Sequence, residues 1–153
     1  MLGLMDHARI KVESTGAQKL DTLLGSGMRD RQDINAIATR RDGRVSILVW
    51  NYSDDEVPDQ VTSVGLKLEG LPNSSTRVLT QHYRIDKQHR DAFTTWKAQG
   101  SPQNPSAEQY SEWEAAGQLH LLESPRWLDA EAGAVEIGFP LPRNSISLLQ
   151  MAW

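Results

Sequence analysis

Three groups of side chains could carry chemistry. Acidic residues cluster at Asp54, Asp55 and Glu56, and again at Glu108, Glu112 and Glu114. Paired carboxylates do most sugar hydrolysis, one as acid and one as nucleophile or base. Glu108 and Glu112 are four apart, so a helix would place them on one side. Neither cluster sits in an apolar setting that would raise a carboxyl pKa, as a general acid requires. The first therefore reads as a solvated loop and the second as the wet side of a helix. The histidines, His7, His82, His89 and His120, lack the close or paired spacing of metal ligands, so no metal site is expected. His82 falls on the polar parity of its strand and reads as a surface or interface residue. Serines are frequent, yet the chain has no G-x-S-x-G elbow, phosphate loop or dinucleotide fingerprint. Asn51-Tyr52-Ser53 and Asn73-Ser74-Ser75 match the glycosylation sequon, a pattern short enough to arise by chance. Five tryptophans are many for 153 residues. Exposed on a sheet, they could stack on sugars. The plainer reading puts Trp50 and Trp153 in the core, with Trp96, Trp113 and Trp127 under an insertion or against a partner. No catalytic constellation emerges from the residues alone.

The elements that would hold these groups are mostly strands. Asp42-Gly43 predicts a two-residue type I′ turn between 34–39 and 44–52. In the second run Val45, Ile47 and Val49 point one way, and Leu48, Trp50 and Tyr52 the other. Apolar residues on both faces suggest a central strand covered on both sides. After a polar loop at 53–60, Val64, Leu66 and Leu68 alternate with polar or small residues over 61–71. Leu79, Tyr83 and Ile85 share one face of 76–86, and these two strands read as an antiparallel pair. Residues 119–123 and 125–141 return to strands, with a turn at Ala132-Gly133 and Val135, Ile137 and Phe139 on one face. The last strand, 144–153, changes apolar parity at Leu148-Leu149, which implies two buried faces or a bulge. Residues 8–14 suit an edge strand, and 15–33 read as a loop. The expected core includes Ile47, Leu48, Trp50, Leu79, Tyr83, Ile137, Phe139 and Leu148.

Residues 87–125 break this rhythm. Asp91 can cap a short helix carrying Phe93 and Trp96 on one face, with Gly100 as its stop. Ser106 and Gln109 form a capping box for a second helix with Tyr110 and Trp113 on one stripe. Seven or eight short strands with regular turn signals predict a mainly β, antiparallel, immunoglobulin-like β-sandwich with a helical insertion at about 87–125.

Composition sets further bounds. The length suits one domain, and 24% charged residues is ordinary for a globular chain. A net charge of −4 speaks against a nucleic-acid partner. No apolar run approaches the roughly 20 residues that cross a bilayer, so no membrane partner is expected. The absence of cysteine removes thiolate metal sites and Cys nucleophiles and favours the cytoplasm. The first ten residues do not have the layout of a signal peptide.

Four stretches then point to a family. They are MLGLMDHARIKV (1–12), LVWNYSDDEVP (48–58), the run from LTQHYRID through SPQNPSAEQY to LLESPRW (79–127), and LPRNSISLLQMAW (141–153). Together they resemble the C-terminal region of bacterial β-xylosidases of glycoside hydrolase family 39. The resemblance implies a parent enzyme with an N-terminal (β/α)8 barrel and a C-terminal β-sandwich. That parent releases xylose from xylo-oligosaccharides with retention, using two glutamates on the barrel and no cofactor. A barrel needs about 250 residues, so none of it lies in this chain and no residue here inherits a catalytic role. Residues 1–153 are then one accessory domain whose partner is the barrel, or a neighbouring subunit. Phe93, Trp96, Tyr110 and Trp113 are the expected interface residues, since aromatic residues are enriched in such contacts. The alternative is an independent carbohydrate-binding module, marked by two or three coplanar exposed rings. A self-sufficient glycosidase is disfavoured, because a retaining site needs two carboxyls about 5 Å apart in a cleft. For the parent, arabinosides or an iduronidase-like substrate remain alternatives to xylosides.

Overall fold

Alternation of side chains decides the strands, and the computed structural model describes residues 1–29, 31–54, 61–89 and 91–153. The strands are β1 (Ala8–Ile10), β2 (Asp33–Arg41), β3 (Arg44–Tyr52), β4 (Val61–Glu69), β5 (Arg77–Ile85), β6 (Arg126–Asp129), β7 (Ala134–Pro142) and β8 (Ser145–Ala152). The helices are α1 (Leu20–Ser26), α2 (Ala92–Ala98) and α3 (Ala107–Gly117). All strand pairs are antiparallel. One sheet has the order β1-β2-β3-β8-β5-β6, and a second, of β4 and β7, packs across it. The chain is thus a mainly β sandwich with a helical insertion.

The core lies between the two layers. Val45, Ile47 and Val49 of β3, Leu149 and Met151 of β8, and Val135, Ile137, Phe139 and Leu141 of β7 meet there. On β7 these buried residues alternate with exposed Glu136, Gly138 and Pro140, the period-2 signature of a half-buried strand. β3 and β8 lie mid-sheet and are buried on both faces: Leu48 and Leu148, opposite each other, are buried on one face and Ile47 and Leu149 on the other. The parity change in β8 therefore reflects two buried faces rather than a bulge.

Several expectations need correction. β4 pairs with β7, while β5 pairs with β8 and β6. The turn at 71–75 carries the chain from one layer to the other, so β4 and β5 are not ladder neighbours. β5 is also turned over. Val78, Thr80, His82 and Arg84 face the core, while Leu79, Tyr83 and Ile85 are half-buried on the outer face. Burial of His82 and Arg84 is tolerated because distant strands supply hydrogen-bond partners, whereas the Thr80 hydroxyl is buried without one among the described residues. His82 Nε2 meets Ser147 Oγ at 2.9 Å, and Arg84 donates to Ser147 Oγ at 3.1 Å and to the Pro140 carbonyl at 2.6 Å. Trp50 is likewise half-buried on the outer face, its indole N–H donating to Asp33 Oδ2 at 2.8 Å. Trp153 is half-buried against the core edge.

Turn chemistry differs as well. A type I′ turn needs positive φ at both central residues. Asp42-Gly43 has it only at Gly43, at 69°, whereas Ala132 at 49° and Gly133 at 75° both have it. β1 spans three residues rather than seven, and the stretch read as a loop contains α1, whose N-cap Lys19 makes no side-chain cap bond.

Candidate functional site

The insertion forms a helical hairpin with its own internal fastening. Asp91 accepts from the Phe93 N–H at 3.0 Å and from Thr94 Oγ1 at 2.6 Å. Gly100, at φ 82°, ends the first helix, and the Ser101 N–H returns to the Trp96 carbonyl. Ser106 and Gln109 close the expected capping box reciprocally. Trp96 donates from its indole to the Pro102 carbonyl at 3.1 Å, and Trp113 donates to Gln99 Oε1 at 2.7 Å, tying α3 to α2. No residue of either helix is buried.

The four aromatic residues named from the sequence are therefore split. Trp96 and Trp113 are half-buried and serve the hairpin itself. Phe93 is 55% exposed, 5.4 Å from the Trp96 ring, with Lys97 Nζ 4.9 Å above it. Tyr110 is 62% exposed.

A second apolar strip lies on the outer face of the six-stranded sheet. Trp50, Ile146 and Ile85 sit side by side in register, with Leu48, Leu148, Tyr83 and Leu121 in the next row. Ile146 and Leu121 are each 38% exposed. Sequence reasoning missed Ile146 and Ile85 because it placed the outer residues of β3 and β5 in the core. The signal was available in the two-sided apolar character of β8. The 1–6 segment crosses this face: the Leu4 carbonyl accepts from Gln150 Nε2 at 3.0 Å and Ser46 Oγ at 3.3 Å. Asp6 then pairs with Arg44 at 2.7 Å, and that hydrogen bond holds its carboxyl below the ordinary range.

Residues 119–123, expected as a strand, make only an isolated bridge from Leu121 to Tyr83, and beside it the Leu122 N–H donates to the His82 carbonyl at 2.7 Å. This brings Glu123 Oε1 within 3.6 Å of His82 Nδ1, so Ser147, His82 and Glu123 fall in the order of a nucleophile, base and acid. The geometry makes them a core network instead. Ser147 is fully buried and already accepts from Arg84, and Phe139 packs edge-on against the imidazole at 4.9 Å. Burial and then the Arg84 charge push the His82 pKa down to about 4. His82 is thus buried rather than a surface residue.

The other candidates disperse. Glu108, Glu112 and Glu114 are exposed on α3. Asp54 accepts from the Tyr52 hydroxyl at 2.6 Å and from the Met28 N–H, which lower its pKa, opposite to what an acid catalyst requires. Asp55 and Glu56 lie outside the described residues. Asn51 is 1% exposed, which closes that sequon to an enzyme. Among the described residues no group of three His, Asp or Glu is placed to hold a metal ion.

The fold has known relatives. A β-xylosidase from Geobacillus stearothermophilus is 24% identical over 128 residues, which cover 84% of this chain and 24% of that enzyme. The chain thus spans about a quarter of the length of the curated relative it matches. Among solved structures, the GH39 enzyme from Xanthomonas axonopodis pv. citri superposes with a TM-score of 0.62 at 19% identity, over 82% of this chain and 28% of that one. A monomeric β-xylosidase from Caulobacter crescentus CB15 gives 0.57 at 19% identity, over 84% and 29%. No family model matches the chain. The similarity to family 39 β-xylosidases expected from the sequence stretches is found, and the structural matches extend it to the fold.

Proposed function

We propose that this chain is the non-catalytic C-terminal β-sandwich domain of a β-xylosidase-type glycoside hydrolase, packed against a (β/α)8 barrel that performs the reaction. Its parent would hydrolyse xylo-oligosaccharides with retention through two glutamates of the barrel. The observation that carries the reading is apolar surface left uncovered by this chain: Phe93 and Tyr110 on the hairpin, and Ile146 and Leu121 on the outer sheet face. Exposed apolar residues gathered at two sites on one molecule mark contact surfaces. The match to only a quarter of a β-xylosidase supports the same view. A sugar-stacking platform is less well served. Phe93 and Trp96 are tilted by 32° rather than coplanar, and the Arg77 guanidinium lies over the Trp127 ring at 5.4 Å.

The test has two arms. The chain alone should not turn over p-nitrophenyl xyloside. Added to a barrel polypeptide of the parent, it should bind, and Phe93→Asp or Ile146→Asp should weaken that binding. Turnover by the chain alone that disappears when one of its own carboxylates is changed would overturn the reading, as would failure to bind the barrel.

A further inference from the structure

We propose that the helical hairpin is an acid-released flap, hinged at residues 86–89 and latched at residues 121–123 over the buried His82 imidazole. The flap stands on its own geometry. Only its consequence rests on the reading above, because Phe93 and Tyr110, the exposed rings offered to a barrel, ride on it.

The two feet of the hairpin are held unequally. At the first, the Asp86 and His89 backbones bond to each other in both directions, at 3.0 and 3.1 Å. The buried Asp86 carboxylate also accepts from the Gln88 N–H at 2.8 Å and the His89 N–H at 2.7 Å, and it meets His89 Nδ1 at 2.8 Å. Side chain and backbone both close this foot. At the second, Leu121 makes one isolated bridge to Tyr83, and the Leu122 N–H donates to the His82 carbonyl. Ladder pairing to β5 resumes only at Arg126, and every residue from Glu123 to Trp127 is exposed. Between the feet, neither helix buries a residue. Segments so lightly packed open locally, well before the core does.

The state of His82 decides how firmly the second foot is held. Ser147 Oγ accepts from Arg84 Nε at 3.1 Å and lies 2.9 Å from His82 Nε2. With Arg84 donating, the hydroxyl's own hydrogen goes to Nε2, which assigns the imidazole hydrogen to Nδ1, facing Glu123 Oε1 at 3.6 Å. A second proton must then enter at Nε2. The Ser147 hydroxyl would face two cationic donors and lose its own acceptor. The surrounding groups add to the difficulty. Arg84 on β5 and Arg126 on β6 oppose the new charge, while Phe139 on β7 and Ser147 on β8 are neutral. Among the described residues Glu123 alone favours it, from an exposed position, and Asp86 acts on Arg84 instead. Lifting residues 121–123 opens the sheet edge beside β5 and lets the charged ring hydrate. Acid therefore favours the lifted form. His82 titrates at about 4 in place against 6.5 in its ordinary state. The ratio of lifted to closed forms should thus rise roughly twentyfold from pH 7 to pH 5, loosening the position of Phe93 and Tyr110.

The test is amide exchange at Leu122 in the 153-residue chain, each rate being divided by its intrinsic rate at that pH. Leu122 protection should lie below that of β3 and β8, respond little to dilute urea, and fall roughly twentyfold from pH 7 to pH 5. His82→Gln, which keeps a partner for Ser147 but does not titrate, should remove the pH dependence. Glu123→Gln should enlarge the fall, since it takes away the one favourable charge. Should His82→Gln fail to fold, the unaltered chain still decides: the midpoint of the His82 ring resonance should coincide with the pH at which Leu122 protection stops falling. Protection at Leu122 that is independent of pH, that matches β3 and β8 in size and urea response, or that falls as steeply in His82→Gln, overturns the proposal. A barrel that binds at neither pH, with Leu122 responding as expected, would sink the docking reading and leave the flap standing.

Discussion

At the scale of single residues, His82 gives the sharpest expectation. Its folded-state pKa of about 4 lies below the ordinary value of 6.5, so the unfolded chain takes up the proton first as pH falls. The stability conferred by neutral His82 is complete above about pH 6.5 and is lost progressively towards pH 4. Asp6 and Asp54 have lowered pKa values, so their losses come at more acid pH. Urea midpoints should therefore decline between pH 6.5 and 4, and His82→Gln should flatten that stretch of the profile. Parallel profiles for the two proteins would mean that another group titrates. The Ala132-Gly133 turn offers a second test. Gly133 has a φ of 75°, and an added Cβ would stand 3.1 Å from the Leu71 carbonyl oxygen. Gly133→Ala should cost more than about 1 kcal/mol, whereas Asp42→Asn, at a turn residue without positive φ, should be near neutral in denaturant melts.

At the scale of elements, the helical hairpin should behave as a unit apart from the sheets. Ser106→Ala removes the capping box and should weaken α3 by about 1 kcal/mol. Because neither helix buries a residue, the global denaturant midpoint should hardly move. The loss should appear instead as faster hydrogen exchange in α2 and α3. A matching drop in the global midpoint would mean that the hairpin unfolds with the core. The hairpin was legible because caps are local: Asp91, Gly100, Ser106 and Gln109 act within a few residues of themselves. β3 and β7 were legible for a similar reason, since turn residues and alternation fix them. The facing of β5 was not legible. Its run reads plausibly on either face, and the choice depends on Ser147 and the Pro140 carbonyl, more than fifty residues away. The pairing of β4 with β7 is equally non-local. α1 escaped notice because it lacks a capping side chain. The same difficulty on β3 and β5 moved Trp50 and Tyr83 from the outer strip into the core, and so hid part of the candidate interface.

For the molecule as a whole, the asymmetry between core and interface can be read by truncation. Phe139 is buried between the layers against His82, and Phe139→Ala should cost about 3–5 kcal/mol. Phe93→Ala removes the same side chain from an exposed helix face, and its unfolding free energy should change by less than about 0.5 kcal/mol. Phe93→Ala should still weaken association with the barrel. If both truncations destabilise equally, the hairpin is part of the folding core and its rings are not reserved for a partner.

The fastening of Asp6 to Arg44 has a geometric outcome. Ala152, near the other end of the chain, is the register partner of that same Arg44, and the Trp153 N–H donates to the Gly43 carbonyl beside it. Asp6 and Ala152 thus lie at one corner of the sandwich, so the order of strands between them can be cut and rejoined without redrawing the sheets. A short peptide joining residue 153 to residue 1, with new ends opened in the 101–105 loop, should yield a circular permutant of this 153-residue chain that keeps the strands of the described residues. In evolutionary terms, a module of this kind can be inserted into a host protein as readily as appended to it.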